Sequence, residues 1–430
     1  MLLERLRYSG GGTAVKSVQD QLAAVLAVAV PVPALDVVLT DAAGCILAAD
    51  IVVTEDIPSR PLATCDGYAV RSQDLVGASH ESPVVLPVTH DVWSAADEPF
   101  RLAPRQSVLV SSGVPMPVGA DALVPVWATD RGSAKVRVMT ELAPGANVRH
   151  VGADVRAGTV ALRHGTRLDA RQLAFAASLG YARIRVHPAP RVVILPVGDE
   201  LVQPGSTRPG VFDANGPSLR TAVQDAGAIA IQVAPVSDDQ TRLREMIEDQ
   251  LVRADLLITT GGLSEGSHDT LKDVLAPLGT VRFDHVAMVP GRNQGLGTLH
   301  AGIGDSTDNP GDTIPVFSLP GHPVAAQISY EVFVRPALRA MAGYTDIYRP
   351  SVAAHAAVGW RSPAGVRQFV PAVLVGSPDG GYHVTPVGDP TRLEDLSVAG
   401  LAEANALAVV PEGESEVRFG DRVHCLVLEG

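Results

Sequence analysis

Apolar and polar positions fall into three textures along this chain. Ser17 followed by Asp20 resembles a capping box, and Val18, Leu22, Val25 and Leu26 then recur at helical spacing until Pro31 ends the pattern. From Val37 to about Arg149 the pattern changes to short β-rich pieces separated by Pro and Gly: Ile46 to Val53, Tyr68 to Val70, Val84 to Val88, Ser107 to Val110, Ala122 to Val126 and Lys135 to Met139. Asp169 to Leu179, closed by Gly180, is helical again. Its return beside the first helix would make one domain from two separated segments.

From Arg191 strand and helix alternate: strands Arg191 to Val197, Ala228 to Val233, Leu256 to Thr260, Val281 to Met288 and Ile314 to Leu319, with helices Pro217 to Ala226, Gln240 to Arg253, Asp269 to Leu275 and Pro323 to about Met341. Such alternation requires right-handed crossovers and predicts an open, mostly parallel α/β sheet covered on both faces. Gly302 to Asp312 reads as a polar surface loop. After Arg349 the pattern is β only, with Val352 to Val358, Gln368 to Val375, Tyr382 to Val387, Ala406 to Val410 and Arg422 to Leu428, which predicts a small C-terminal β-barrel or sandwich. The expected division is therefore 14–45 with 150–185 as a helical and β domain, 46–149 as a β-rich insertion, 186–345 as the α/β domain and 346–430 as the barrel.

A length of 430 residues already requires several domains. Lys+Arg 34 against Asp+Glu 47 gives a formal charge of −13, which opposes nucleic-acid or anionic-lipid binding through general electrostatics, and 4% aromatic residues argue against base-stacking surfaces. With Lys16, Lys135 and Lys272 as the lysines, any bound anion must rely on arginine, backbone amides or a metal ion. Cys45, Cys65 and Cys425 lack CxxC spacing, which suits a reducing, cytoplasmic setting. The apolar run Leu22 to Val30 is too short to span a bilayer and follows Asp20, so neither membrane insertion nor a signal peptide is expected.

In an open parallel sheet, ligands bind beyond the carboxyl ends of the strands. Here those ends carry Gly198-Asp199-Glu200-Leu201, Ser237-Asp238-Asp239, Gly261-Gly262-Leu263-Ser264-Glu265-Gly266 running on to Asp269, Pro290-Gly291-Arg292, and Pro320-Gly321-His322-Pro323. One shared cleft explains five such ends better than five unrelated turns. The Gly261, Gly262, Ser264, Gly266 loop offers backbone N–H groups before a helix, the requirement for an oxyanion site; its bland alternative is a connection needing glycine for geometry. Converging carboxylates at Glu200, Asp238 and Asp269 either raise one another's pKa or hold a hard cation, and Mg²⁺ is the better reading in a lysine-poor chain. For Asp239 and Asp255 a cap or a solvated loop charge is the simpler account. Asp213 and Asn215 either cap the next helix or offer polar groups to a heterocycle. The twelve histidines show no paired zinc spacing.

Four motifs in this order, Cys65-Asp66-Gly67-Tyr68-Ala69-Val70-Arg71, Gly198-Asp199-Glu200-Leu201, Thr260 to Gly266 ending in Asp269, and Leu319-Pro320-Gly321-His322-Pro323, make the chain resemble the molybdopterin molybdenumtransferase family, the MoeA proteins and the E domain of gephyrin, from about Ser17 onward. The resemblance implies an elongated homodimer of four-domain subunits, with the cleft of the α/β, molybdopterin-binding domain completed by the β-rich domain of the partner. It implies hydrolysis of adenylylated molybdopterin with release of AMP and insertion of molybdate, with Mg²⁺ as cofactor. Residue by residue it gives Asp66, Glu200, Asp238 and Asp269 as functional carboxylates, Pro320 and Pro323 as a shaped loop, and Arg292 and Asp154 as further substrate-side positions.

The chain departs from that pattern where the family commonly has lysines around Val289 to Asn293, Glu at Ala153, Asn at His322, Met at Cys65, Thr at Val197 and Glu at Trp127. Arg292 can stand in for one cation, because guanidinium binds oxyanions well; Val289 cannot. Two functions follow: an insertase of molybdenum cofactor synthesis, and a gephyrin-like dimeric scaffold that binds a partner-protein peptide near the C-terminal β domain.

Overall fold

The computed structural model describes residues 15–93, 101–263, 270–300, 313–390 and 397–428. Helix α1 (Val18–Val28) starts where the sequence says it should, with Ser17 Oγ accepting the Asp20 N–H at 3.0 Å. The alternating region then supplies β1 (Arg191–Pro196), α2 (Asn215–Asp225), β2 (Ile229–Gln232), α3 (Gln240–Leu251), β3 (Leu256–Thr260), α4 (Thr270–Leu275), β4 (Arg282–His285), β5 (Asn293–His300), β6 (Thr313–Leu319) and α5 (Pro323–Ser329). A π-helical turn over Tyr330–Val334 carries α5 into α6 (Arg335–Met341), so the long helix read from the sequence contains one widened turn.

The sheet order is β2-β1-β3-β6-β5-β4. The first four strands are mutually parallel, and β5 is antiparallel to both β6 and β4. Alternate residues of the buried strands face opposite layers: Val192, Ile194, Leu256 and Ile258 pack with Leu219 and Val223 of α2 and Val18 and Val25 of α1, whereas Val193, Leu195 and Leu257 pack with Leu243 and Ile247 of α3. The mostly parallel sheet with two covered faces is thus as expected, but β5 was not read from the sequence. Its Gly295 and Gly297 hid it, and both are glycine for steric reasons. A Cβ on Gly295 would sit 2.6 Å from that of Ser318, and one on Gly297 would collide with Val281. The predicted strand Val281 to Met288 is correspondingly shorter, because Met288–Val289 leaves this sheet and pairs with Arg367–Gln368.

The C-terminal region closes as a barrel, as one of its two expected forms. Strands β7 (Ser351–Ala356), β8 (Arg367–Ser377), β9 (Gly381–Pro386), β10 (Ala406–Val410) and β11 (Arg422–Val427) run in the order β8-β9-β7-β11-β10, and β10 pairs back onto β8. Small side chains (Ala354, Ala356, Ala372, Ala406 and Ala408) with Val370 and Val384 fill the interior.

Two compact units divide the chain, one comprising residues up to Ala48, Gly165–Asp169 and Arg183 onward, the other Ala49–His164 and Ala170–Ala182. In the second unit Ala122–Pro125, Gly67–Val70, Ser107–Val110, Val84–Val92 and Lys135–Val138 form a five-stranded sheet in that order. The expected strand Ile46 to Val53 is two short strands, Ile46–Leu47 and Ile51–Val52, one in each unit. Helix Ala170–Ser178 belongs to the second unit, while α1 belongs to the first, where Val18 and Val25 join the α/β core. The Gly302 to Asp312 loop read from the sequence lies outside the described residues.

Candidate active site

Because β5 and β6 are antiparallel and β4 reverses again, the carboxyl ends of β1, β3, β6 and β4 and the start of β5 share one edge of the sheet. A cleft of ≈ 690 Å³ lies there, lined by Val197, Gly198, Glu200, Asp238, Gly261, Gly262, Leu263, Gly291, Arg292, Asn293, Pro320 and Gly321. Four of the five loops nominated from the sequence contribute charged or polar side chains or bare backbone to it, and the fifth, at Pro320-Gly321, forms a wall.

Glycine permits this convergence. Gly261 has φ +90°, and a Cβ there would collide with the Val197 carbonyl; its N–H donates to the Leu319 carbonyl at 3.2 Å. That amide is therefore consumed by the fold, and Gly261 offers the cleft a bare α-carbon instead of the anion donor expected of it. A Cβ on Gly321 would lie 3.3 Å from the Gly261 Cα, so three strand ends meet through glycine backbone. At Gly198 a Cβ would come within 2.6 Å of Glu200 Oε2 and 2.7 Å of Oε1, so the missing side chain is what lets the Glu200 carboxylate fold back beside the strand end.

Asp238 is fixed by its neighbours across the edge. Its Oδ2 accepts the Asp199 N–H at 3.2 Å, and Asp199 Oδ1 accepts the Ser237 hydroxyl at 2.7 Å and the Asp238 N–H at 3.3 Å. This reciprocal pair locks the loops after β1 and before α3 together, leaving Glu200 exposed and Asp238 half-buried in the same cleft. Asp239 caps α3 by accepting the Arg242 N–H at 3.0 Å, and Asp255 accepts two hydrogen bonds from the Arg191 guanidinium at 2.8 and 3.0 Å, so neither is available for chemistry. The Asp255 carboxylate, first of all through those hydrogen bonds, raises the Arg191 guanidinium above its ordinary pKa.

Asp213 is 2% exposed, and its Oδ1 accepts the Gly216 N–H in the first turn of α2 at 2.9 Å, the capping alternative rather than the ligand one. Asn215 donates from Nδ2 to the Gly321 carbonyl at 2.8 Å, which ties α2 to the cleft wall, while its buried Oδ1 has no partner among the described residues. Arg292 lines the cleft half-buried, and no described residue pairs with its guanidinium. Asn293 was not singled out from the sequence, although it lines the cleft; it donates to the Leu263 carbonyl at 3.0 Å and bonds the His285 ring at 2.9 Å, holding the loop after β3 in place. Its signal was hidden with that of β5. Pro323 begins α5, with His322 at its N-cap position making no side-chain cap bond.

Ser264, Gly266 and Asp269 lie outside the described residues. Among the described residues no group of three His, Cys, Asp or Glu side chains is arranged to hold a metal ion. Asp66 and Asp154 stand in the other unit. Asp66 is exposed at the start of strand Gly67–Val70, where its Oδ1 accepts the Ser112 N–H at 2.8 Å and its carbonyl accepts the Val126 N–H at 3.1 Å. Gly67 must be glycine, since a Cβ would collide with the Val124 carbonyl. Asp154 pairs with the Arg149 guanidinium.

Comparison with known proteins identifies the family. Residues 16–180 match the family described as MoeA N-terminal region (domain I and II), 193–340 the probable molybdopterin binding domain, and 353–428 the MoeA C-terminal region (domain IV). Two proteins of Mycobacterium tuberculosis, molybdopterin molybdenumtransferase 2 and 1, are each 36% identical, over 90% of this chain and 94% of the relative and over 96% and 99%. Two solved structures of molybdopterin biosynthesis MoeA protein from Pyrococcus horikoshii superpose with TM-scores of 0.80 and 0.72 at 27% and 25% identity, covering 97% and 96% of this chain and 100% of each of those chains. The chain belongs to the molybdopterin molybdenumtransferase family.

Proposed function

We propose that this chain inserts molybdate into adenylylated molybdopterin and releases AMP. The observation that carries the reading is the gathering of Glu200, Asp238 and Arg292 in one cleft of ≈ 690 Å³ at the carboxyl edge of the sheet. Water attacks the phosphoanhydride, AMP departs, and the dithiolene sulfurs replace oxygens of molybdate, which leave as water. Arg292, cationic and without a partner among the described residues, suits the molybdate oxyanion, since guanidinium presents several N–H donors in a fixed fork. Glu200 and Asp238 supply hard carboxylate oxygens, one facing a bare glycine and the other steadied by the Asp199 amide, and this donor set fits Mg²⁺. When bound, magnesium would offset the charge of the phosphoanhydride and its leaving groups. Asp269, the third carboxylate of the proposal, completes the set on the family pattern.

The remaining parts of the reading are a homodimer in which the Asp66 edge of one subunit serves the cleft of its partner, the four-segment division at 14–45 with 150–185, 46–149, 186–345 and 346–430, and a cytoplasmic setting. Three unpaired cysteines support a reducing compartment. Among the described residues no helix is long and apolar enough to cross a membrane. The relatives are named for transferase chemistry, which favours the enzyme over a peptide-binding scaffold. Purified protein given adenylylated molybdopterin, molybdate and Mg²⁺ should release AMP in step with molybdenum bound to the pterin; AMP release that ignores molybdate would refute the insertase.

A further inference from the structure

Arg292 lines the cleft from the turn Pro290-Gly291-Arg292, which leads from Met288–Val289 into β5. An arginine on a mobile turn must be ordered each time it grips an anion, so a firmly set backbone makes the grip tighter. Both peptide groups that flank Arg292 are fixed. On its carboxyl side, the Arg292 carbonyl accepts the Val286 N–H at 2.8 Å. On its amino side, the Gly291 carbonyl accepts from Gln294 Nε2 at 2.6 Å, and the same nitrogen donates at 2.7 Å to the hydroxyl of Ser329, the last residue of α5. Gln294 is 3% exposed and does not line the cleft, and Ser329 is fully buried. Chemistry forces the orientation of this amide. A carbonyl only accepts, so the nitrogen must face Gly291, and its two hydrogens then serve Gly291 and Ser329. Gly291 has φ +97°, and a Cβ there would lie 2.7 Å from Ser329 Oγ and 3.4 Å from Gln294 Nε2, so glycine lets the turn settle onto the buried amide.

We propose that Gln294 is a positioning residue for oxyanion binding: by fixing the peptide between Gly291 and Arg292 it sets the direction in which the Arg292 side chain leaves the backbone, ready for molybdate. The assignment rests on Arg292 as the molybdate contact of the insertase reading. Gln294 touches no substrate, so its whole effect must pass through Arg292. Loss of one such hydrogen bond corresponds to about a fivefold weaker oxyanion interaction, less than removal of the guanidinium itself would cause.

The test is a double-variant cycle in the full-length chain, with Gln294→Met chosen because it keeps the length of the side chain while removing both donors. With molybdate titrated at saturating adenylylated molybdopterin, Gln294→Met should raise KM for molybdate about fivefold, with kcat and KM for the pterin each changing less than about twofold. In an Arg292→Ala background the same substitution should leave KM for molybdate unchanged, because the group it positions is gone. A merely structural amide would instead lower the amount of active protein, and so kcat, equally in both backgrounds. Where Gln294→Met does not fold, Ser329→Ala loosens the same amide more gently by removing one of its two acceptors, and should raise KM for molybdate about twofold only while Arg292 is present. Equal rises in the two backgrounds, or an unchanged KM for molybdate in both Gln294→Met and Ser329→Ala, overturn the role of Gln294 and leave the insertase standing. Equilibrium dialysis with inorganic molybdate separates the two readings. Weaker binding by Gln294→Met, lost in the Arg292→Ala background, supports the positioning role whether or not the chain releases AMP, and equal binding overturns it. Absence of molybdate binding by the unaltered chain overturns the insertase reading together with this one.

Discussion

Carboxylates occur in two contrasting settings within the first unit. Glu200 and Asp238 lie in an open cleft and keep oxygens unclaimed, whereas Glu331, at the π-helical turn, is 8% exposed and fully engaged. Its two oxygens accept from the Arg349 guanidinium at 2.9 and 3.0 Å, and Arg335 lies 4.0 Å away. Arg349 also donates to the Leu428 carbonyl at 2.7 Å, so the pair joins the α5–α6 helix to the chain around the barrel. Burial, then the neighbouring Arg349 charge, lowers the Arg335 pKa; burial acts on Arg349 too, but the Glu331 hydrogen bonds and charge prevail and raise it. Burial also pushes the Tyr330 hydroxyl well above its ordinary pKa, consistent with its donating to the Ala222 carbonyl at 2.6 Å. A carboxylate with every oxygen matched to a cation holds the fold together. One left half-matched at a cleft is available to a ligand.

The largest effect expected from this contrast is on stability. Glu331→Ala leaves the buried Arg335 and the half-buried Arg349 guanidinium without their carboxylate and should cost about 3–5 kcal/mol. Denaturant unfolding measures it, and a loss below about 1 kcal/mol would mean that the triad is solvated enough to be dispensable. At the cleft the effect should move from stability to chemistry. Glu200→Gln and Asp238→Asn each keep shape and lose charge, so turnover should fall about 100-fold or more while unfolding free energy changes by less than about 0.5 kcal/mol. Full AMP release with unchanged Mg²⁺ dependence in either variant would erase the distinction between the two settings.

The two settings were not equally legible in the sequence. The cleft was, because carboxylates and glycines recur after successive strands of an alternating pattern, and the rule relating strand ends to ligands turns that recurrence into a place. The Glu331 group was not, since an acid on a helix and arginines at 335 and 349 look like ordinary surface charges until the helix is seen to be buried on all sides. Strand β5 was missed for a related reason: Gly295 and Gly297 are dictated by contacts with Ser318 and Val281, residues remote in sequence. The same blindness hid Asn293, whose partners are the Leu263 carbonyl and the His285 ring. Gly261 misled in the opposite direction, since its spacing suggested an exposed amide and tertiary structure had already used it.

A smaller effect should separate the cation from the carboxylates within the cleft. Arg292→Ala removes one charge-assisted oxyanion contact, about 1.5–3 kcal/mol, and should weaken molybdate use by tenfold or more while adenylylated-molybdopterin binding is largely kept. Titration of molybdate at saturating pterin measures this. Restoring a cation by Val289→Lys should then improve molybdate use, because β-paired Val289 is half-buried on the segment that leads into Gly291 and Arg292. Equal losses in molybdate use and pterin binding would place Arg292 on the phosphates instead.

The smallest expected effect concerns Asp213, which tests the comparison because it is buried like Glu331 yet close to the cleft through its neighbour Asn215. Its Oδ1 accepts the Gly216 N–H, an amide that the first turn of α2 cannot satisfy internally. Asp213→Ala should therefore cost about 1 kcal/mol of stability, the usual value of a lost cap, with KM for the pterin substrate changing less than twofold. Asp213→Asn keeps an accepting oxygen and should recover most of that stability. A KM increase of tenfold in both variants, with unfolding unaffected, would show that Asp213 meets the heterocycle directly. Burial with a satisfied oxygen would then no longer be enough to mark a carboxylate as structural in this protein.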